Sequence, residues 1–383
     1  MAQAPRRLGL GAALAGLQPI AGDAAIGDFR VMRGRGISGV RRRTLLGAAA
    51  SALLAGACAG LAPRGARAQP RPAPLRLGFI SIIPMTQLFV MEGQGWTKAA
   101  GLDLILKRFS SGPPMVEALL SGALDVAYIG IGPAMAARAR GADVKAVAAN
   151  VVEQVGLVAR GALVAAIADA PSPREGFRRF RDAGRRPARI ATLPPGSTPD
   201  TVLRYYLQEA GIATGDVEVI GVGEDEVQRL LLAGAVDAGA IPEPILTITL
   251  ERDRTARLIA TPRQMMPGHP GAVVLVTGDV IARNREAVQR LVELHVRATA
   301  YVREDPARAV PNIVEYLGQG LVDPALIRKA LTSEATQLIA DPHAIVEPTR
   351  LLQAVERRLG VQSQPVDIDA LFDFSFYDAI VRR

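Results

Sequence analysis

From Leu75 onward the chain alternates two kinds of apolar pattern. Leu75–Ile82 is a continuous apolar run ending at Pro84, as expected of a strand buried on both faces. Leu88–Ala99 has helical spacing, Leu102–Phe109 alternates like a strand, Pro113–Leu120 is helical again and Asp125–Ile129 is strand. The rhythm returns with strands at Ile190–Leu193, Val217–Val222 and Val236–Ile241, separated by helices at Thr198–Ala210 and Glu224–Ala233. A strand at Ala272–Val276 follows Pro270, then helices over Asp279–Val302 and Pro306–Tyr316. Ile345–Leu359, with Leu351, Leu352, Val355 and Leu359 on one face, reads as an amphipathic packing helix. The closing Phe372, Phe374, Phe376 and Tyr377 read as core anchors. Such alternation predicts an α/β fold of mostly parallel sheets flanked by helices.

One stretch occurs twice. Leu120-Ser-Gly122-Ala-Leu-Asp125-Val-Ala127 returns as Leu232-Ala-Gly234-Ala-Val-Asp237-Ala-Gly239, and each copy follows a Gly-led strand. Two copies are too few for a solenoid and predict two similar α/β lobes. Two facing lobes make a cleft, the usual place for a small ligand.

Charge separates the first part of the chain from the rest. The protein has 383 residues and a formal net charge of +8. Residues 1–68 hold 10 of the 45 Lys+Arg and 2 of the 37 Asp+Glu, which leaves 35 of each in 69–383. A basic balance confined to the N-terminus points to an address label rather than a nucleic-acid surface. Residues 1–31 carry no periodic pattern and read as an over-long gene start. In 32–68, Arg41-Arg42-Arg43-Thr44-Leu45-Leu46 precedes an apolar run to Ala62 and then Ala66-Arg67-Ala68, a small-x-small cleavage pattern. This resembles a twin-arginine export signal cut after about Ala68 and predicts a periplasmic protein. The retained-anchor reading and lipidation at Cys58 are the alternatives. Cys58 is the only cysteine, so the mature protein would have neither disulfides nor thiolate chemistry. Arg174 to Arg189 carries seven arginines with Phe177 and Phe180. In a neutral, exported body this reads as a solvated helix face rather than a nucleic-acid patch.

Four strand-to-helix turns point at the expected cleft: Ile83–Gln87, Ser110–Pro114, Gly130–Pro133 and Pro194–Pro199. Ser or Thr before a Pro at the first helical position starts a helix, whose free N–H groups suit an anion. Glycines there let a ligand approach the backbone. Glu243, between Pro242 and Pro244, is placed to accept hydrogen bonds at the rim, whereas Asp200 reads as a capping charge. No HExxH, GxSxG or P-loop pattern occurs, and His269, His295 and His343 lie in unrelated contexts, so neither catalysis nor a metal is expected.

These residues together resemble the periplasmic solute-binding proteins of ABC importers, in the nitrate, sulfonate and taurine group. The resemblance is carried by Leu75-Arg-Leu-Gly-Phe-Ile, by Phe109-Ser-Ser-Gly-Pro-Pro with Glu117 to Gly130, and by Ile190 to Thr198. Leu232 to Asp237 with Glu243-Pro244 completes it, over roughly 75–305. It implies a two-lobed periplasmic-binding-protein fold of type II with a two-strand hinge. Lobe one would be 75–165 plus 270–383, and lobe two 166–269. It also implies a small-molecule ligand, an ABC permease with its ATPase as partners, no nucleic acid, contact with the membrane only through the permease, a monomer, and no cofactor. Carried over by position, Met85, Thr86, Gln87, Ser110, Ser111, Gly112, Gly130, Gly132, Ser197, Thr198 and Glu243 should line the cleft. Pro242 stands where this group often has an aromatic, and no Lys or His at the turns matches a nitrate site. Sulfonate, another organic anion and a neutral heterocycle therefore stay open. A ligand-sensing periplasmic subunit and a fold-related enzyme acting on a small heterocycle or carboxylate are the rival readings.

Overall fold

The computed structural model describes residues 74–318 and 322–382; the expected export signal and Cys58 lie outside them. The described strands in chain order are β1 (Leu75–Ile80), β2 (Leu104–Phe109), β3 (Val126–Gly130), β4 (Val144–Ala149), β5 (Val151–Val152), β6 (Gly156–Ala159), β7 (Ala188–Thr192), β8 (Val217–Gly221), β9 (Ala238–Ile241), β10 (Arg257–Ala260), β11 (Ala272–Thr277) and β12 (Gln337–Leu338).

They build two five-stranded sheets, β2-β1-β3-β11-β4 and β8-β7-β9-β6-β10, and a small β5–β12 pair. In the first sheet β1 runs parallel to β2 and β3, while β11 is antiparallel to both β3 and β4. The second sheet repeats the scheme: β7 is parallel to β8 and β9, and β6 is antiparallel to β9 and β10. The six parallel strands are all among those predicted from the sequence, and the seventh predicted strand, at Ala272–Val276, is the antiparallel β11. The antiparallel ones come from chain that crosses over or returns, and β4, β6 and β10 carried no such signal. Being short or Ala-rich, they gain strand identity only by pairing.

Burial follows position in the sheet. Central β3 has Val126, Ala127, Tyr128 and Ile129 fully buried, because helices cover both faces. Edge strand β2 alternates and shows Lys107 and Arg108 to solvent, which discourages further pairing. The turn Ile83–Met85 ends β1 sooner than the apolar run suggested. Phe372 and Phe376 are buried, as expected of core anchors.

Two features depart from expectation. Residues 156–159 fell on the first-lobe side of the expected boundary at 165, yet β6 pairs with β9 in the second sheet, Gly156 opposite Ile241. On the helix Val346–Arg358 the buried residues are Thr349, Leu352, Gln353, Val355 and Glu356, while Leu351 is 50% exposed. A glutamate takes the place on the inner face that an apolar residue was expected to hold.

The arginine-rich helix Pro173–Gly184 buries Phe177 and Phe180 and turns its charges outward. There Arg178 pairs with Glu175 and Asp182, and Arg181 with Asp216. Those arginines are thus engaged with the fold's own carboxylates.

Candidate functional site: a closed cleft between the sheets

The strand-end turns of the two sheets meet around one small cavity. Ile80, Ile82, Met85, Gly112, Gly130 and Pro133 line it from the first sheet's side, and Leu193, Ser197, Thr198 and Pro199 from the second's. Gln154 and Ala272 complete the wall. Its volume is about 20 Å³, roughly one water. A larger surface groove of about 540 Å³, lined by residues such as Arg204, Leu207 and Leu359, holds none of the turn residues.

Close approach explains the glycines. A Cβ on Gly130 would come within 2.6 Å of Thr198 Oγ1, and one on Gly112 within 2.4 Å of a Pro133 ring carbon. A Cβ on Gly132 would come within 2.6 Å of Glu356 Oε1. The Gly132 N–H donates to Thr198 Oγ1 at 3.4 Å. The turn after β3 is thus seated on the helix Thr198–Glu209, which the second sheet supplies. Ser197 caps that helix by accepting the Asp200 N–H at 3.4 Å, and Asp200 is held by Arg204 at 2.9 Å. Ser111 precedes the helix Gly112–Leu120 in extended conformation, and its hydroxyl caps nothing.

Other expected residues are used elsewhere. Thr86 Oγ1 donates to Ile83 O at 2.6 Å, which closes a local turn. Gln87 Nε2 donates to Asn150 O at 2.8 Å, inside the core. Ser110 is exposed at the seam, where its carbonyl accepts the Glu224 N–H at 3.1 Å. Glu243 is buried, but its carboxylate accepts from Thr247 N (3.0 Å) and Thr247 Oγ1 (2.9 Å), fastening the helix Ile245–Arg252. Burial raises its pKa, with the Thr247 and Ser333 hydrogen bonds and Lys329 opposing. None of these four lines the cavity.

Four charged groups at the seam escaped the sequence reading. Arg108, at the end of β2, reaches the second sheet's side and donates to Glu224 and Asp225, each at 2.8 Å. Burial lifts the Glu224 carboxyl to about 7 despite Arg108. Glu356 is likewise pushed up to about 7, mainly by burial; Asp200 adds to this and the Thr201 hydroxyl, at 3.4 Å, opposes it. A glutamate at a helix's apolar positions beside Leu352 and Val355 was the available signal for Glu356. Gln154 carried no signal in the sequence.

Two of the histidines, His269 and His295, are buried in the fold. His295 is fully buried, with Nε2 against Ala149 O at 2.8 Å and Nδ1 against Tyr128 Oη at 3.1 Å. Burial lowers both His295 and His269 to about 4.

Two sheets with the same strand order, joined by two crossovers and meeting across a cleft, define the periplasmic-binding-protein fold. The chain belongs to the NMT1-like family, whose sequence model matches residues 68–315. A candidate binding protein of Brucella abortus is 28% identical over 267 residues, 68% of this chain and 78% of that protein. Among solved structures, the periplasmic nitrate-binding protein NrtA from Synechocystis PCC 6803 superimposes with a TM-score of 0.69 at 17% identity. It covers 81% of this chain and 88% of its own. The alkanesulfonate-binding protein SsuA from Xanthomonas axonopodis pv. citri, bound to MOPS, gives 0.63 at 19% identity, covering 80% of this chain and all of its own.

Proposed function

We propose that this protein is the substrate-binding component of an ABC importer, which captures a small anion between two lobes and delivers it to a membrane permease. Lobe one would hold the first sheet and most of the chain after β11, and lobe two the second sheet. The observation that carries the reading is that helix starts from opposite sheets, Gly112 and Ser197–Thr198, line one cavity. Helix N-termini present N–H groups and a positive dipole end to an anion, with no need for a cationic side chain. The polar side chains on the wall are Gln154, Ser197 and Thr198, which suit holding a ligand rather than transforming one. Met85, Ser111, Gly112, Gly130, Gly132, Ser197 and Thr198 would form the site.

Export through the twin-arginine signal, cleavage after about Ala68 and action in the periplasm as a monomer belong to this reading. So does an ATPase behind the permease. The structural relatives named for nitrate and alkanesulfonate support the class of ligand. A thermal-shift screen of the purified protein against nitrate, taurine, alkanesulfonates, carboxylates and pyrimidines tests it. A ligand at 100-fold its Kd should stabilise the fold by about 2.7 kcal/mol. A hit among the anions that is lost in Ser197→Ala is expected. No shift by any anion overturns the reading.

A further inference from the structure

Two short segments carry the chain between the sheets: Asn150–Val155 outward and Thr261–Gly271 back. One side chain ties them together. His269 is fully buried, and its Nδ1 donates to Met266 O at 2.8 Å, which leaves Nε2 as an acceptor. That single nitrogen receives two backbone donors, Gln154 N–H at 2.9 Å and Val155 N–H at 3.2 Å. The reverse direction is also bonded. His269 O accepts the Glu153 N–H at 2.9 Å, and Glu153 Oε1 accepts the Gly268 N–H at 2.7 Å. Glu153 itself has φ +47°, an uncommon left-handed conformation for a residue other than glycine. Its bonds to Gly268 and to Gln337 Nε2 (2.8 Å) hold it there. The sharp turn is therefore fixed on both sides, and the residue it presents is Gln154.

Gln154 is 3% exposed and forms part of the cleft wall. Its Oε1 is buried and has no hydrogen-bond partner. Buried acceptors are almost always paired, so an unpaired one on a residue that lines a cavity marks a place for a ligand's donor. We propose that Gln154 contacts the ligand through this carbonyl, and that His269 is the positioning residue that holds it in place. This rests on the cleft being the anion site proposed above. It narrows the ligand to an anion that also carries an N–H or O–H donor, such as an amino- or hydroxy-substituted sulfonate, over a bare one. The buried imidazole stays neutral across the ordinary pH range, so the acceptor at Nε2 persists.

Taurine and ethanesulfonate have the same sulfonate group and differ at the far end, where only taurine has a donor. Isothermal titration of the purified protein should show taurine tighter by about tenfold or more, since a site built to accept a donor penalises the analogue without one. Gln154→Leu should bring the two affinities together by weakening taurine. His269→Gln, which puts an oxygen near the Nε2 position, should keep the taurine preference, and His269→Leu should lose it. The 15N shifts of wild-type His269 should report Nδ1–H and a bare Nε2, a readout that survives if His269→Leu does not fold. Equal binding of both sulfonates by the wild type, or a preference unchanged in Gln154→Leu, overturns the ligand contact alone. A folded His269→Leu with the wild-type preference, or an Nε2–H imidazole, overturns the positioning role. A wild type that binds neither sulfonate and no other anion overturns the anion reading and this proposal with it.

Discussion

Asp125 and Asp237, each the residue just before the middle parallel strand of its sheet, make the same pair of backbone clasps. The Asp125 N–H donates to Arg76 O (2.8 Å), and its Oδ2 accepts the Arg76 N–H (2.9 Å). The Asp237 N–H donates to Arg189 O (2.9 Å), and its Oδ2 accepts the Arg189 N–H (2.9 Å). Arg76 and Arg189 are both the second residue of the neighbouring strand. The recurring Gly-x-x-Asp is thus a strand-register device used once per sheet, and the equal strand orders make the two halves equivalent.

The clasps should matter to stability unequally. Asp125 also takes side-chain bonds from Arg76 (2.8 and 2.9 Å) and from Arg283 (3.0 Å). Burial works to raise its pKa, but these bonds and the Arg76 charge lower it below the usual value. Asp125→Ala should cost about 2–3 kcal/mol, the range for hydrogen bonds to charged groups. Asp237, exposed enough to be partly screened, should cost less. Urea midpoints at neutral pH check the order. Stability from the lowered Asp125 is present above pH 3.8 and is lost as pH falls through its folded pKa.

Gly130 and Thr198 meet at the wall of the cavity. Gly130→Ala places a methyl against Thr198 Oγ1, which should wedge the cleft and weaken ligand binding by about tenfold, within the range for overpacking. Removing the obstacle in Gly130→Ala/Thr198→Ala should restore more affinity than Thr198→Ala alone would lead one to expect. A double-mutant cycle by titration with the first ligand found measures this coupling.

Glu356 and Glu224 give the folded state a pH dependence. Both have folded pKa values of about 7 against an ordinary 4.5, because burial disfavours their charge. A raised carboxyl contributes stability that is complete below pH 4.5 and is lost as pH rises through 7. The urea midpoint should therefore fall between pH 5 and 8. Glu356→Gln keeps the shape and cannot ionise, so it should flatten its share of that fall, on the order of 3 kcal/mol at full ionisation. An unchanged slope would mean that Glu356 is not the titrating group.

Glu243 separates support from binding. Its carboxylate is taken up by Thr247, so Glu243→Ala should cost about 1–2 kcal/mol, as loss of a helix-end acceptor does. The choice of ligand should stay the same. A changed ligand preference in titration would return Glu243 to the cleft.

Elements whose signals are local were legible in the amino-acid order alone. Leu75–Ile80 and Val126–Gly130 are apolar because helices cover both faces of a parallel strand, and that need is written into consecutive residues. The repeat around Asp125 and Asp237 exposed the duplication, since each copy must supply the same clasp. Ser197 before a proline announced its helix. Tertiary structure decided what depends on partners far along the chain. β6 is four residues whose pairing is fixed by β9, about eighty residues later, and its sheet could not be read locally. Glu243 looked placed for the cleft rim and is bound by Thr247, whereas Gln154 and Glu224 looked unremarkable and, with Glu356, stand at the seam. A side chain's availability is set by burial and by the donors that reach it, and both are properties of the assembled fold.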